Sequence, residues 1–403
     1  LRPPVESKLR FSAWSVLAHT EFEQANFANA ERAYTESLRF LQQEDARRDG
    51  FEELLAASIY RQGEASRDAG SYEAAVGHFL RLGKVLPDSP IRITAEYDAA
   101  AVLLETKQWQ QAIVVLQDFR RNYPGHELQA DTTRNLAVAY LESGQTLAAA
   151  QEFGRLGVES GNPQFKREAS LQSAELYEEA GAIDQAIAAY TAYLTAYPEP
   201  FAEAIEWHQK LIDLYTKQNN AKAVAQWQRK LVDREVVGQQ QRTARTRFLA
   251  AQALLELARP VMAAYQRIPL TIPLADSLNQ KKARMKQALA MYTQAAGYGI
   301  QDVSTESTHH TGVIYQSLSE ALLDSERPAG LSELELEQYE ILLEDEAFPF
   351  EEKAIEVFEI NSARIPQGIY DDWVKASLTA LAEILPGRYN KQERADPFVE
   401  AVQ

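Results

Sequence analysis

The sequence of 403 residues contains no cysteine, which excludes disulfide scaffolds, thiol nucleophiles, iron–sulfur clusters and cysteine zinc sites. It also lacks an apolar run of about 18 residues, the length that a membrane-spanning helix requires. Basic residues are the minority, because 41 Lys and Arg accompany 58 Asp and Glu and leave a net charge of −17. A phosphate backbone attracts basic surfaces, so we expect no nucleic acid among the partners.

The start of the chain carries no recognisable targeting signal. Residue 1 is Leu rather than Met, and no signal peptide is visible. We therefore expect the sequence to be a mature form or a fragment of a longer protein. The absence of cysteine suits an oxidising compartment.

No catalytic motif is complete. The nearest candidate for a phosphate-binding loop, which begins at Gly77, has Val85 where a hydroxyl group is needed. A zinc-protease motif begins at His126, but Ala130 occupies the position of its second histidine. We therefore expect that the protein is not an enzyme and that it holds neither a cofactor nor a metal.

One short cluster resembles a set of metal ligands. It consists of Glu306, His309 and His310. Adjacent histidines on a helix point about 100° apart, so a single ion rarely contacts both. We interpret the cluster as the polar start of a helix rather than as a metal site.

A repeat of 37 residues runs through the middle of the chain. A small residue recurs at Ala75, Ala112, Ala149, Ala186 and Ala223. A bulky residue follows four positions later, at Phe79, Leu116, Phe153, Tyr190 and Trp227. A turn position precedes the small residue, at Gly70, Lys107, Gly144, Gly181 and Gln218. A second small position falls at Gly63, Ala100, Ala137 and Ala174, with Leu211 in the last repeat.

These positions predict pairs of antiparallel helices. Small residues let two helices approach closely, and the bulky residue one turn later fills the space between them. A residue with conformational freedom permits the tight turn. Because one helical hairpin cannot bury its apolar face alone, the hairpins must stack.

The segments ESGQTLAAAQEF, EAGAIDQAIAAYTAYLTAYP and ETKQWQQAIVVLQDFRRNYP resemble tetratricopeptide repeats (TPRs). A degenerate copy, FEQANFANAERAYTESL, precedes them, with Ala30 and Tyr34 at the small and bulky positions. The resemblance implies an all-α fold, a right-handed α–α superhelix or TPR solenoid, with a divergent helical C-terminal region. We expect N-terminal helices with one degenerate repeat in residues 1–52, five repeats in 53–236 and a divergent C-terminal domain in 237–403.

The register is lost after about residue 233, and helices there are predicted from breaks and caps. One long polar helix is expected over 230–265, with Pro260 as a candidate kink. Pro269 and Pro273 then break the chain. Asp276 or Ser277 is expected to cap the next helix, and Ser304–Thr305 the one after it. Three further helices are expected at 332–346, 350–364 and 370–385.

The segment from GYGIQDV to EILPGRY resembles the C-terminal region of large TPR proteins of Gram-negative bacteria. Those proteins accompany proton-driven TonB and Tol–Pal systems or gliding machinery. The resemblance implies a scaffold in the periplasm or on the inner face of the outer membrane, peripheral to the membrane at most. A TonB- or Tol-type envelope component would then be a partner.

Stacked hairpins present a concave surface that is lined mainly by the first helix of each pair. We expect a protein or peptide partner to bind there, because aromatic and Arg side chains dominate binding energy. The alternative is a glycan or peptidoglycan fragment stacked on the aromatic rings. The candidate residues are Tyr60, Arg67, Tyr97, Arg134, Leu171, Glu178, His208 and Tyr215.

A second candidate surface is acidic. Residues 333–359 contain eleven acidic residues against the single Lys353. This pattern is typical of a solvated helical face, and a docking surface for a basic partner or divalent ions is the alternative. Basic residues of the same chain, at 281–286, are further candidates to contact it. The candidate docking residues are Glu333, Glu337, Glu340 and Glu344.

Overall fold

The computed structural model describes residues 5–391. In this range the chain forms α-helices, two short 3-10 helices and no β-strand, which confirms the all-α prediction. The chain divides into an N-terminal unit, residues 1–196, and a C-terminal unit, residues 197–403. The domain boundaries predicted at residues 52 and 236 fall inside these units and stay predictions.

In the N-terminal unit, consecutive helices pack on one another throughout the described residues. They form α1–α2, which holds the degenerate repeat, and then four hairpins of the 37-residue register. The helices are α1 Val5–Glu23, α2 Phe27–Leu38, α3 Arg48–Asp68, α4 Tyr72–Val85, α5 Ile91–Glu105, α6 Trp109–Asn122, α7 Gln129–Glu142, α8 Thr146–Glu159, α9 Pro163–Glu179 and α10 Ile183–Ala196.

The small and bulky positions pack as predicted in these four hairpins. Each small residue of the second helix is completely buried, as are Phe79 and Leu116, while Phe153 is half-buried. The second small position has the same role in the first helix. A Cβ atom at Gly63 would lie 2.5 Å from Cε1 of Phe79. The predicted close approach is therefore a direct contact between the first and second helix of a hairpin.

The turn position takes a left-handed backbone in all four hairpins. Glycine adopts this conformation without steric cost. Lys107 adopts it as well, with φ of 58°, although a side chain disfavours it. The geometry of the hairpin thus determines the backbone at this position, and the sequence satisfies it with glycine in three of the four cases.

The C-terminal unit begins with the fifth hairpin and continues with longer helices. Each helix packs against the next one along the chain. The helices are α11 Phe201–Lys217, α12 Ala221–Val237, α13 Ala244–Gln266, α14 Leu274–Ala296, α15 Gln301–Leu323, α16 Glu333–Ser362, α17 Asp372–Ile384 and α18 Pro386–Tyr389.

The fifth hairpin is displaced by one residue from the predicted register. Its left-handed turn residue is Asn219 rather than Gln218, and α12 begins one residue late. Ala223 is only half-buried, although Trp227 at the predicted bulky position is buried, as are Gln228 and Leu231. The prediction that Ala223 continues the closely packed position is therefore wrong.

The single helix predicted over 230–265 is in fact two. Helix α12 ends at Val237, and α13 begins after Thr243, whose side chain accepts a hydrogen bond from the Thr246 backbone amide. The Thr246 hydroxyl accepts a bond from the Thr243 amide in return, which completes a capping box. Pro260 lies inside α13.

Two predicted helix starts in this unit are wrong by several residues. Helix α14 begins at Leu274, directly after Pro273, and Ser277 instead bonds the backbone of Thr271. Helix α15 begins at Gln301, and the Thr305 hydroxyl donates to Asp371 at 2.6 Å. Neither side chain caps a helix: Ser277 bonds the segment just before α14, and Thr305 forms a tertiary contact.

The two helices predicted at 332–346 and 350–364 form one helix, α16, of 30 residues. Ser332 and Glu335 form a capping box at its start, and Pro349 lies inside it without ending it. Helix α17 matches the prediction at 370–385, and Ala380 and Leu381 are buried on its packed face.

Candidate functional site

Three of the candidate binding residues lie one repeat apart on successive first helices. They are Tyr60 on α3, Tyr97 on α5 and Arg134 on α7. Both tyrosines are half-buried, whereas Arg134 is 56% exposed. We call the surface formed by these three residues and the cleft beside Tyr60 the first-helix face.

Each tyrosine of this face is bonded to the next hairpin. The Tyr60 hydroxyl donates to Asp98 Oδ2 at 2.5 Å, and Asn135 Nδ2 donates to the Tyr97 hydroxyl at 3.4 Å. Burial, and then the hydrogen bond to Asp98, raise the pKa of Tyr60. The ring positions are therefore fixed by contacts between repeats, and the hydroxyl remains protonated at neutral pH.

A cleft of about 290 Å³ lies beside Tyr60, between α3 and α5. Arg61 and Glu64 on its α3 side form an ion pair at 2.7 Å. The cleft thus presents an aromatic edge, apolar groups and a charged pair. Its lining is completed by Ala57, Ile91 and Thr94.

Arg134 is the most accessible cation among the candidates. Its guanidinium pairs with Asp131 at 2.7 Å and lies 5.8 Å from the ring centroid of Phe165 on α9. An exposed pair of this kind contributes little to stability, so the guanidinium is free to exchange its partner.

The other candidates do not extend this face. Arg67 pairs with its neighbour Asp68 at 3.2 Å, and Glu178 accepts the Tyr190 hydroxyl of its own hairpin at 3.2 Å. Leu171 and Tyr215 are half-buried. These contacts indicate mainly packing within the hairpins.

His208 is buried, so it is not available to a partner in this structure. Its Nδ1 lies 2.7 Å from the Ala204 carbonyl oxygen, and its ring meets Trp227 edge-on. Burial lowers the pKa of His208. His208 was predicted because it occupies the position equivalent to Tyr60 and Tyr97 in the repeat, but in the fifth hairpin this position faces the core.

The residues that hold the tyrosines were not among the predicted ones. Asp98 and Asn135 follow the candidate column by one position and lie 37 residues apart. The signal for them is the position that follows Tyr60 and Tyr97 in each repeat, because a polar residue recurs there in successive repeats.

The histidine cluster lies in the middle of α15, so its interpretation as a helix start is wrong. Glu306 accepts a hydrogen bond from Arg259 at 2.9 Å and lies 3.7 Å from His310 Nε2. Burial would raise the pKa of Glu306, but hydrogen bonds from His310 and Arg259 outweigh it and lower this pKa. Trp373 packs 4.9 Å from the His310 ring.

His309 is held neutral by its surroundings. Burial, and then the neighbouring His310, lower the pKa of His309 to about 4, and its Nδ1 lies 3.1 Å from the Ser377 hydroxyl. Within residues 5–391 no group of three or more His, Asp or Glu side chains is arranged to hold a metal ion. The cluster links α13, α15 and α17 by polar and aromatic contacts.

The four acidic candidates of α16 are all exposed. Of the basic residues predicted to contact the acidic region, Lys282 reaches Glu346 at 2.9 Å. Lys281 is buried and donates to the Ile268 carbonyl at 2.9 Å instead. Arg327 lies 3.8 Å from Glu340. Most of the acidic charge is therefore left to solvent.

Stacked hairpins with a 37-residue register and closely packed small residues define the class: the chain is a tetratricopeptide-type repeat protein. Residues 52–199 match the model of the YfiO family, described as an outer membrane lipoprotein. This similarity covers the first four hairpins of the register. No curated protein matches the chain. Among residues 5–391, no helix is both long enough and apolar enough to cross a bilayer.

Several solved structures resemble the chain at low identity. MamA is 16% identical, with a TM-score of 0.28, over 47% of this chain and 96% of its own. A tetratricopeptide repeat protein from Parabacteroides merdae is 14% identical, with a TM-score of 0.27, over 78% of this chain and 99% of its own. PilW, a type IV pilus biogenesis factor, is 15% identical, with a TM-score of 0.24, over 57% of this chain and 93% of its own.

Proposed function

We propose that the chain is a non-catalytic scaffold that binds a protein or peptide on its first-helix face. The observation that carries this proposal is the placement of Tyr60, Tyr97 and Arg134 one repeat apart on successive first helices. Tyr and Arg are the side chains that contribute most at protein interfaces. Because contacts between repeats already hold both tyrosines, little side-chain entropy is lost when a partner binds.

The proposed location is the bacterial envelope, in the periplasm or at the outer membrane. The similarity of residues 52–199 to an outer membrane lipoprotein family supports this location. The resemblance of the C-terminal segment to proteins that accompany TonB and Tol–Pal systems suggests which partner to test first.

The test is capture of partners from a bacterial envelope extract by the immobilised full chain, followed by mass spectrometry. Arg134→Glu should lower the recovery of a specific partner several-fold. Arg121→Glu is the matched control, because Arg121 is also exposed and pairs with a carboxylate three residues before it, but lies on a second helix, α6. Equal recovery with both variants would refute binding on the first-helix face.

Calorimetry tests the alternative ligand. Peptidoglycan fragments and oligosaccharides titrated into the full chain should release no heat if the face binds proteins. Heat of binding that disappears in Tyr97→Ala would instead assign the aromatic residues to a glycan.

A further inference from the structure

The first half of α16 carries an uncovered apolar stripe. Leu334, Ile341 and Phe348 follow one another at intervals of seven residues and are 64%, 51% and 58% exposed. Residues seven apart on a helix lie on nearly the same side, so the three side chains form one line. Leu342, also 64% exposed, widens it. We call these four residues the α16 stripe.

In the second half of α16, the side of the helix that continues the stripe is covered by other helices. Ile355, the next residue at the seven-residue interval, is half-buried in a cluster with Ile384 and Tyr389. Glu359, five helical turns beyond Ile341, accepts hydrogen bonds from Arg388 and Tyr389. Helices α17 and α18 therefore cover this side of α16 at its C-terminal end.

Helix α17 covers only part of α16 because it is much shorter than α16. Helix α16 has 30 residues and α17 has 13, so their lengths are about 45 and 20 Å at 1.5 Å per residue. In the part of the chain that the structure describes, the four side chains of the stripe are 51–64% exposed. The uncovered length matches a helix of about 16 residues.

The charges beside the stripe identify the kind of partner. Residues 333–348 contain seven acidic residues and no basic residue. Glu337 and Glu344 lie along one edge, and neither has an ion-pair partner among residues 5–391. Like charges would oppose a second copy of this surface, whereas Lys or Arg beside an apolar stripe would complement it.

We propose that the α16 stripe is a docking site for a helix of a partner protein that has an apolar stripe flanked by Lys and Arg. Such a helix would continue the packing that α17 begins on α16 and would pair its cations with Glu337 and Glu344. The α16 stripe and the first-helix face share no residue, so either proposal can fail without the other.

The probes are two synthetic helical peptides of about 18 residues with the same Leu and Ile stripe. One has Lys along the edges of the stripe and the other has Glu. Fluorescence anisotropy with the full chain should show binding of the Lys peptide, weakened by salt, and at least about tenfold weaker binding of the Glu peptide.

Variants locate the site. The double change Ile341→Ser and Phe348→Ser should weaken binding of the Lys peptide by at least about tenfold. Ile360→Ser is the matched control, because Ile360 is 52% exposed on the same helix but lies 12 residues, about 18 Å, beyond Phe348 and outside the stripe. Glu337→Lys with Glu344→Lys should reverse the preference between the two peptides, and Arg134→Glu should change neither affinity.

Three results would overturn the proposal. The first is unchanged affinity in the variant with both Ser substitutions. The second is low reactivity of the Leu342 and Phe348 side chains toward hydroxyl radicals in the free full chain, which would mean that the chain covers its own stripe. The third is a dimer in sedimentation that the Ser substitutions abolish, which would make a second copy the occupant.

Discussion

Gly63 shows how one missing methyl group determines the packing of a hairpin. A Cβ there would lie 2.5 Å from Phe79, whereas a Cβ at Gly77, also in a helix, would meet no atom within 4 Å. We expect Gly63→Ala to lower the free energy of unfolding by about 1–3 kcal/mol through overpacking. Gly77→Ala should raise it by about 0.5–1 kcal/mol, since Ala is the better helix former. Urea denaturation measures both changes.

The essential result is that the two substitutions change the free energy of unfolding in opposite directions. Loss of stability in both variants would mean that the close contact at Phe79 is not the cause. Adding Phe79→Leu to Gly63→Ala should recover part of the lost stability, because the smaller side chain leaves room for the new methyl group.

Protonation of His309 is expected to make the stability of the folded chain depend on pH. Its pKa is about 4 in the folded chain, where burial opposes the charge, against about 6.5 in the unfolded chain. Between these values the unfolded state binds more protons, so acidification destabilises the folded protein. Relative to His309→Gln, the wild type should lose on the order of 1–2 kcal/mol of stability from pH 6.5 to pH 4.

Chemical denaturation at several pH values measures this difference. The groups around His309, namely His310, Glu306 and Arg259, are present in both proteins, so their own contributions to the pH dependence largely cancel. A difference that stays constant over the pH range would show that His309 is not held neutral.

At the scale of the helix, Thr243 decides where α13 begins. Its side chain accepts a hydrogen bond from the Thr246 amide, and its own amide donates one to the Thr246 hydroxyl. Thr243→Ala should lower the free energy of unfolding by about 0.5–2 kcal/mol, as for other N-cap threonines. Thr216→Ala is the control, because the Thr216 hydroxyl bonds a carbonyl inside α11 and caps nothing. A loss of equal size in the control would contradict the role of the cap.

The elements that the sequence predicts well are those fixed by a repeated contact. Small and bulky residues at a constant interval determined four hairpins, because every repeat has the same packing constraint. Asn219 marks the limit: one inserted residue moved the fifth turn, and a fixed interval cannot detect such a slip. The contacts of His309 with Ser377 and of Thr305 with Asp371 join residues far apart in the chain, so local patterns do not reveal them.

Proline was a poor guide to the length of helices. Pro260 and Pro349 each lie inside a helix, where proline removes one backbone hydrogen bond. Packing of α13 and α16 against their neighbours outweighs that loss, and a sequence contains no direct record of tertiary packing. The predicted break at residue 349 was therefore wrong. The break at Pro269 and Pro273 was correct.

At the scale of the whole molecule, the repeats make stability local. In a stacked array each hairpin contacts mainly its neighbours, so a local defect is expected to open the nearby helices first. The tight contact at Phe79 and the cap at Thr243 lie in different units of the chain. Gly63→Ala and Thr243→Ala should therefore destabilise different groups of helices.

Hydrogen exchange with mass spectrometry tests this expectation on the full chain. Gly63→Ala should speed the exchange of amides in α3–α6 and leave α13–α17 as in the wild type, and Thr243→Ala should have the converse effect. A repeat array opens in sections because the free energy of opening depends on the nearest interfaces. Faster exchange throughout the chain with either substitution would show instead that the hairpins unfold as a single cooperative body, and the description as a stack of hairpins with locally determined stability would be wrong.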